Sequence, residues 1–404
     1  MNKVAIVGAG ASGLVAAIYA KNSNNDVYIL EKNEECGKKI LVTGNGRCNY
    51  FNDDQDLKHY YSKINLDGLI NKKNLDEVEK FFLSIGIVPK IKNGYYYPYS
   101  NQASSIKKAL ENEVKRLNIK IINNFEAINI KKINNEFLIY SNNEVLKFDK
   151  VILSTGSKAY PKTGSVGDGY IFAKNFGHNI IDVLPSLTQL RSNKKYFKKL
   201  SGIRCDANLK LYENGNFIKE EDGELQLTNY GISGICTFNL SGFVSRGLSE
   251  GKKEEIIINF IPMLKAENIS DVIDYLDNRN KILKNRKLDD LFIGLLNDKL
   301  IYCLLEISDI DKNKYFNDLS DYEKRKLSEN LCFFKVNIDE TNSFDSAQVC
   351  TGGIDLKEVN LNSMESKIVS GLYFSGEILD VDGECGGYNL TFAWVTGMVA
   401  GKNV

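Results

Sequence analysis

The chain has 404 residues, 43% hydrophobic and 26% charged, with 52 Lys and Arg against 52 Asp and Glu. That length and composition exclude a disordered or fibrous chain and describe a globular protein of two or three domains. The balanced charge provides no overall positive field for nucleic acid or an anionic membrane, so neither is expected as a partner.

The N-terminus runs into an apolar strand without a basic region or cleavage site, and no apolar run reaches the ~18 residues of a spanning helix. The eight cysteines are scattered without a C-x-x-C pair. His59 and His178 are the only histidines, so a histidine-built metal site is not expected. A reducing, cytoplasmic location fits this cysteine usage.

Val4 to Val7 is an apolar run suited to a central parallel strand. Gly8, Gly10 and Gly13 then open an Ala-rich helix, and Asp26 to Leu30 gives a second strand with Glu31 at its carboxyl end. Strand, glycine turn, helix, strand and acid in that order form a dinucleotide-binding fingerprint. Gly8 permits the tight turn, Gly10 lets pyrophosphate approach the backbone, and Gly13 allows close helix–strand packing. The helix N-terminus offers N–H groups and partial positive charge to phosphates. Glu31 can accept bonds from ribose hydroxyls, which argues against a 2′-phosphate and leaves FAD or NAD.

Leu41 to Asn52, LVTGNGRCNYFN, places two glycines, a guanidinium and a thiol in one loop soon afterwards. Cys48 has no cysteine at dithiol spacing, since Cys36 lies twelve residues away. A dithiol mechanism is therefore not expected, and Cys48 is read as a buried structural residue. Tyr95 to Ser104 reads as a plain loop before a helix from Ser105, with a flank of the active site as the alternative.

Phe125 to Leu153 alternates apolar and polar residues between Asn134-Asn135 and Asn142-Asn143 turns, predicting an antiparallel meander. Val151 to Leu153 follows and closes on Thr155-Gly156, the layout of two-dinucleotide-fold flavoproteins, which selects FAD over NAD. His178 is expected to follow a helix ending at Gly177 rather than to touch substrate.

From about Leu190 the texture changes. Arg204 to Pro262 gives short alternating runs with glycine turns, predicting a mostly β unit. Helical stripes follow at Val272, Ile273 and Leu276 and at Leu291, Phe292, Leu295 and Leu296, and Ser320 with Glu323 forms a capping box. The last sixty or so residues return to glycine doublets and a strand, Leu372 to Ser375, before a buried C-terminal helix. The expected fold class is α/β, a Rossmann-like FAD-binding domain split by an inserted mostly-β plus helical domain. Residues 1–190 and 345–404 form the FAD-binding domain. Residues 191–344 form an inserted substrate or cap domain, with a β unit over about 191–262 and a helical unit over about 265–332.

The motifs GAGASGL, GKKILVTGNGRCN, YPYSNQASSI, STGSKAYPKTGSVGDGY, GELQLTNYGISG, FDSAQVCTGGI and SGEILDVDGECGGYNLTFAW cover nearly the whole chain. In that order they resemble the BaiN-like, aminoacetone oxidase-like family of bacterial flavoproteins, similar in its FAD domain to fumarate reductase and succinate dehydrogenase flavoproteins. The resemblance implies that Gly8, Gly10, Ser12 and Gly13 hold the pyrophosphate of FAD, with Glu31 and Lys32 at the adenosine end. Lys39 and the loop Thr43, Gly44, Asn45, Gly46, Arg47, Cys48 and Asn49 would run along the pyrophosphate and ribityl chain. Ala127 would set backbone against adenine, and Thr155 and Gly156 would close that side. Beside Gly376, Glu377 stands where many flavoproteins carry an Asp for a ribityl hydroxyl, with Asp380 as the fallback. Gly386, Gly387, Asn389 and Leu390 would present backbone N–H groups to the flavin N1–C2=O edge.

The expected function is a FAD-dependent oxidoreductase passing hydride from NAD(P)H through flavin to a small organic acceptor; the resemblance implies reduction of a C=C bond conjugated to a carbonyl. A flavin amine oxidase of aminoacetone-like substrates is the alternative, followed by a tRNA-modifying flavoprotein and a non-catalytic flavin-binding module. No second G-x-G-x-x-G unit is present, so NAD(P)H would bind transiently. No catalytic residue is assigned; Arg47, Tyr388, Glu384 and Tyr230 are candidates by position.

Overall fold

The computed structural model describes residues 1–22 and 25–404. They form two compact units, Met1–Leu184 with Ala347–Val404, and Pro185–Ser346. Among the described residues no helix is long and apolar enough to cross a membrane.

The first unit is built on a seven-stranded sheet in the order Val359–Asn360, Glu365–Ser366, Leu372–Phe374, Lys150–Leu153, Lys3–Val7, Asp26–Leu30, Lys120–Ile122. The last five run parallel, with Ala5 opposite Val151 and Tyr28 in register across the two central pairs. Val4, Ile6, Ile29, Ile152 and Phe374 are buried, which explains why these strands read as continuous apolar runs rather than alternating ones. The predicted meander is present as Asn129–Ile133, Glu136–Tyr140 and Val145–Phe148. This is the Rossmann-like α/β fold expected.

Two helices on the sheet bring the chain ends together: Ala11–Asn22 after the glycine turn, and Tyr388–Asn403 at the C-terminus. The second is apolar nearly all round, with Trp394, Val395 and Met398 fully buried, as a helix enclosed on every side must be. Trp394 Nε1 donates to the Tyr50 carbonyl at 2.9 Å. The helices approach closely because glycines face the partner backbone. A Cβ at Gly397 would stand 2.4 Å from the Ser12 carbonyl oxygen, and one at Gly401 2.4 Å from that of Ala16.

The second unit has a seven-stranded antiparallel sheet centred on the hairpin Arg204–Glu213 and Asn216–Thr228, with its own hydrophobic core. Helices Ile269–Ile282, Asp298–Ile307 and Asp321–Cys332 join that core. The Ser320–Glu323 capping box is present, and Asn268 with Asp271 forms a second.

Three local expectations are corrected. The stretch read as mostly β contains a 15-residue helix, Ile235–Ser249, with Cys236, Leu240 and Val244 on one buried face. Its helical period was masked by the preceding Gly231 and Gly234, which look like strand-turn punctuation. The stripe from Leu291 to Leu296 is not one helix, because the short helix Leu288–Leu291 ends there. Tyr95–Pro98 is a β-strand rather than a loop, and the helix after it starts at Ala103.

Glu254 is a buried anomaly in the second unit. It is 3% exposed, and neither carboxyl oxygen has a hydrogen-bond partner. Burial first, then the neighbouring Glu213, pushes its carboxyl up to about 7 against the opposing pull of Lys252. The folded chain thus retains a proton that the unfolded chain releases above the ordinary value of 4.5. Stability tied to this group is full below that value and lost as pH rises through about 7.

Two predictions follow from this packing. Gly397→Ala overpacks the helix crossing and should cost about 1–3 kcal/mol, read as a lowered Tm; an unchanged Tm would contradict the close approach. Glu254→Gln should raise the melting temperature relative to the parent at about pH 8 and leave it nearly unchanged at about pH 4. Equal differences at both pH values would show that the carboxyl does not keep its proton.

Candidate functional site

The carboxyl ends of the parallel strands carry the first part of the site. After Val7 the chain turns at Gly8, whose N–H donates to the Leu30 carbonyl at 2.9 Å. A Cβ at Gly13 would stand 2.0 Å from the Gly8 carbonyl oxygen, so only glycine lets the helix start this close to the strand. At Gly10 a Cβ would meet nothing within 4 Å, leaving open space beside the helix N-terminus where the first N–H groups lack intrahelical acceptors. Ser12 is buried, and its hydroxyl donates to the Ser375 carbonyl at 3.3 Å, tying this turn to the C-terminal segment. A Cβ at Gly376 would fall 2.4 Å from Ser12 Oγ.

Glu31 is more occupied than its fingerprint role suggests. Its Oε2 accepts the Ala9 N–H at 2.8 Å, and its Oε1 accepts from Asn33 N at 2.8 Å and Asn33 Nδ2 at 2.6 Å. About one of roughly four acceptor positions remains for a ribose hydroxyl. Its first task is to brace the glycine turn. Lys32 forms an ion pair with Asp168 at 2.8 Å. The Phe125 N–H donates to the Glu31 carbonyl at 2.9 Å, so the chain leading to Ala127 is tied to the second strand. Gly156 sits against Ser165, and Thr155 Oγ1 is buried without a hydrogen-bond partner.

Glu377 is likewise engaged within the protein. Lys39 Nζ donates to its Oε2 at 2.7 Å, while Ser157 Oγ at 2.7 Å and Cys350 N at 3.2 Å donate to its Oε1. Most of its acceptor capacity is spent fixing neighbouring loops, and Lys39 is held there with it. Asp380 is buried, and its N–H donates to the Ile354 carbonyl at 3.1 Å.

The segment leading to the thiol is a kinked 3₁₀ helix, Lys38–Gly46, non-helical at Thr43, Gly44 and Asn45, and Cys48 follows it outside regular structure. Gly44, Asn45 and Gly46 follow one another with φ of 54°, 56° and 79°, a left-handed run that glycine and asparagine tolerate best. A Cβ at Gly44 would lie 2.6 Å from the Asn49 nitrogen. Thr43 Oγ1 donates to the Ile40 carbonyl at 2.6 Å. Arg47 is exposed, with its guanidinium 5.2 Å from the Tyr97 ring centre. Cys48 is fully buried, and desolvation pushes its thiol up to about 12, so it carries no thiolate at neutral pH. Asn49 Oδ1 is buried without a hydrogen-bond partner.

That segment leads into the N-terminus of the C-terminal helix. Gly387 is its N-cap and provides no side-chain cap. A Cβ at Gly387 would lie 2.8 Å from the Phe51 carbonyl oxygen and 3.2 Å from Asn49 Oδ1. Asn52 Nδ2 donates to the Gly386 carbonyl at 2.8 Å, and a Cβ at Gly386 would approach the Tyr95 ring to 3.1 Å. Asn389 exchanges two hydrogen bonds with the Gly383 backbone, at 2.8 and 2.7 Å. Loop, tyrosine strand and helix start therefore converge, with the Leu390 N–H in the uncapped first turn.

Beside this helix start lies a cluster the sequence reading missed. His59 Nδ1 lies 2.6 Å from Glu384 Oε2, and its Nε2 lies 3.0 Å from Asp54 Oδ2. The Glu384 N–H donates to the His59 carbonyl at 2.9 Å. Tyr388 stacks on the imidazole, ring centres 4.6 Å apart at 18°, and Tyr60 meets Tyr388 edge-on. The hydrogen bond from His59 holds the Asp54 carboxyl below the usual carboxylate range. Burial, with Asp54 and Glu384 nearby, raises the Tyr388 phenol well above its ordinary value, so it keeps its proton at neutral pH. Glu384 and Tyr388 are thus brought together by His59, which in the sequence bears only on the absence of an expected histidine-built metal site. Its 325-residue separation from Glu384 leaves no local signal. His178 is elsewhere, buried between Glu358 and Ser366.

Two uncapped helix starts, open space at Gly10 and unpartnered buried oxygens on Asn49 and Thr155 suit an elongated ligand with an anionic middle and polar ends. The residues fit a dinucleotide. Among the described residues, no group of three His, Cys, Asp or Glu is placed to hold a metal ion.

A family model described as HI0933-like protein Rossmann domain matches residues 2–403. The 3-dehydro-bile acid delta(4,6)-reductase of Clostridium scindens is 38% identical over 407 residues, covering 100% of this chain and 98% of that protein. The ribosomal RNA dihydrouridine synthase of Haemophilus influenzae is 27% identical, covering 96% of this chain and 95% of that protein. Among solved structures, the open conformation of a flavocytochrome c3 fumarate reductase aligns with a TM-score of 0.49 at 14% identity, over 100% of this chain and 78% of that one.

The environment of Cys48 predicts inertness. Native protein at about pH 8 should leave it unalkylated by iodoacetamide, while denatured protein labels readily, as read by peptide mass spectrometry. Rapid native labelling would show a reactive thiol instead.

Proposed function

We propose that this chain, which belongs to the HI0933-like Rossmann-domain family, is a FAD-dependent oxidoreductase that saturates a C=C bond conjugated to a carbonyl in a small organic acceptor. NAD(P)H is the proposed hydride source. The family is the one its motifs resemble.

The observation that carries this reading is full-length kinship with two enzymes whose names describe one reaction class. A delta(4,6)-reductase of a 3-dehydro acid acts on double bonds in conjugation with the 3-carbonyl. Dihydrouridine differs from uridine by two hydrogens across a double bond conjugated with the C4 carbonyl.

FAD, bound along the glycine turn and the C-terminal helix start, would supply the hydride chemistry. The chain supplies binding, orientation and protons. The N–H groups beside Gly10 and Ser12 would hold the pyrophosphate, with Gly13 keeping the helix close. Those of Tyr388, Asn389 and Leu390 would stabilise negative charge on the reduced ring, each contributing on the order of 2–4 kcal/mol by oxyanion-hole precedent. Asn49 Oδ1 and Thr155 Oγ1 are the buried acceptors that polar groups of the ligand would satisfy. The neutral Tyr388 phenol is the proposed proton donor to the acceptor carbon. His59 is a positioning residue, stacked on that ring and held by Glu384 and Asp54. Arg47 remains an exposed guanidinium available to an acceptor carbonyl.

A second reading, favoured by the dihydrouridine synthase relative, keeps the reaction and takes uridine in RNA as the acceptor. Anaerobic stopped-flow separates the cases. The purified protein should bleach with NADH or NADPH and regain colour with an enone faster than with aminoacetone or air. Recovery only with uridine-containing RNA would favour the second reading, and recovery only with air would remove both. Tyr388→Phe should keep the flavin and its bleaching by NAD(P)H but lose turnover with the enone by about 10²-fold or more. Undiminished turnover would exclude the phenol as donor.

A further inference from the structure

The second unit contains a recess of about 290 Å³ that plays no part in the reading above. Its walls come from the segment Arg191 to Lys198, from Asn229 and Tyr230, and from Asp339 and Glu340. That volume lies just below the roughly 300–1,000 Å³ of pockets that enclose a drug-sized ligand, so it takes a group rather than a whole cofactor.

The charges around it are unequally engaged. Four lining side chains are cationic, Arg191, Lys194, Lys195 and Lys198, against two acids. Both acids have partners: Asp339 Oδ2 accepts the Asn193 N–H at 2.8 Å, and Glu340 Oε2 lies 3.6 Å from Arg191 Nε. Among the described residues, the ammonium groups of Lys194, Lys195 and Lys198 have no ion-pair partner, whereas neighbouring Lys199 pairs with Glu306. Arg191 is fixed by its face on the Tyr230 ring, 4.7 Å away, and by donation to Asn342 Oδ1 at 3.2 Å. Ser192 lines the same recess, is only 8% exposed, and its hydroxyl oxygen has no hydrogen-bond partner. A buried hydroxyl without a partner costs stability unless something completes it.

We propose that this recess is an oxyanion site for a phosphoryl group of a small molecule, with Ser192 as the buried hydrogen-bonding group and Lys194, Lys195 and Lys198 as the charges. The excess of two positive charges matches a phosphate or pyrophosphate dianion better than a single carboxylate. Its size favours a terminal group over a nucleic-acid backbone, which would need a longer basic track. The proposal is independent of the flavin reading, since every residue lies within Pro185–Ser346.

Calorimetric titration of the purified, flavin-loaded protein at low salt tests it, with pyrophosphate, inorganic phosphate, acetate and an oligouridine RNA as probes. Pyrophosphate should saturate one site and acetate should not. Lys194→Gln with Lys198→Gln should weaken pyrophosphate binding at least tenfold, and Ser192→Ala should weaken it severalfold while the flavin spectrum stays unchanged. Absence of saturable pyrophosphate binding, or binding indifferent to the lysine double variant, overturns the proposal. Oligouridine binding that depends on these lysines while pyrophosphate fails to bind also overturns it, pointing to a nucleic-acid surface.

Discussion

The close crossing of the N-terminal and C-terminal helices is the constraint on which the first unit depends. Gly397 and Gly401 let the last helix lie against the backbone of Ser12 and Ala16, and Gly376 accommodates the Ser12 side chain. Without that approach, the glycine turn and the C-terminal segment would not share one end of the sheet. Small residues at the contact trade side-chain burial for backbone proximity, a bargain worthwhile only where a site needs two segments distant in sequence.

The polar groups around that crossing show a division of labour. Glu31 and Glu377, the acids expected to greet a ligand, are largely consumed in bracing loops, the first across the glycine turn and the second across Lys39, Ser157 and Cys350. The groups left for a ligand are backbone N–H donors at helix starts and two unpartnered oxygens, on Asn49 and Thr155. Rigid acids hold the frame, which leaves backbone dipoles as the groups that would meet a ligand's charge. Such preorganised donors act without reorganising during reaction. The buried, protonated Cys48 belongs to the frame as well.

The inserted unit has separate physics. Its sheet is antiparallel, its helices are capped by side-chain boxes, and its core is its own. It also carries two features with no structural compensation in view, the unpartnered Glu254 carboxyl and the open lysine recess. The first lowers stability as pH rises. The second concentrates charge without pairing it.

Much was legible because it is local. The fingerprint from Val4 to Glu31, the meander before Leu153, the Ser320 capping box and the apolar C-terminal helix each depend on residues a few positions apart, where period and turn chemistry act directly. The family motifs likewise read in order along the chain. What the sequence could not show was how side chains meet after folding. The Ile235–Ser249 helix hid behind glycines whose role is set by Leu190 and Glu224 backbone across the sheet. His59 meets Glu384 only because Tyr60 and Gly383 pair as strands. Glu377 pairs with Lys39, 338 residues away. Local order is written in short-range propensity and pattern, whereas the occupancy of a carboxylate and the company of a histidine are settled by long-range packing.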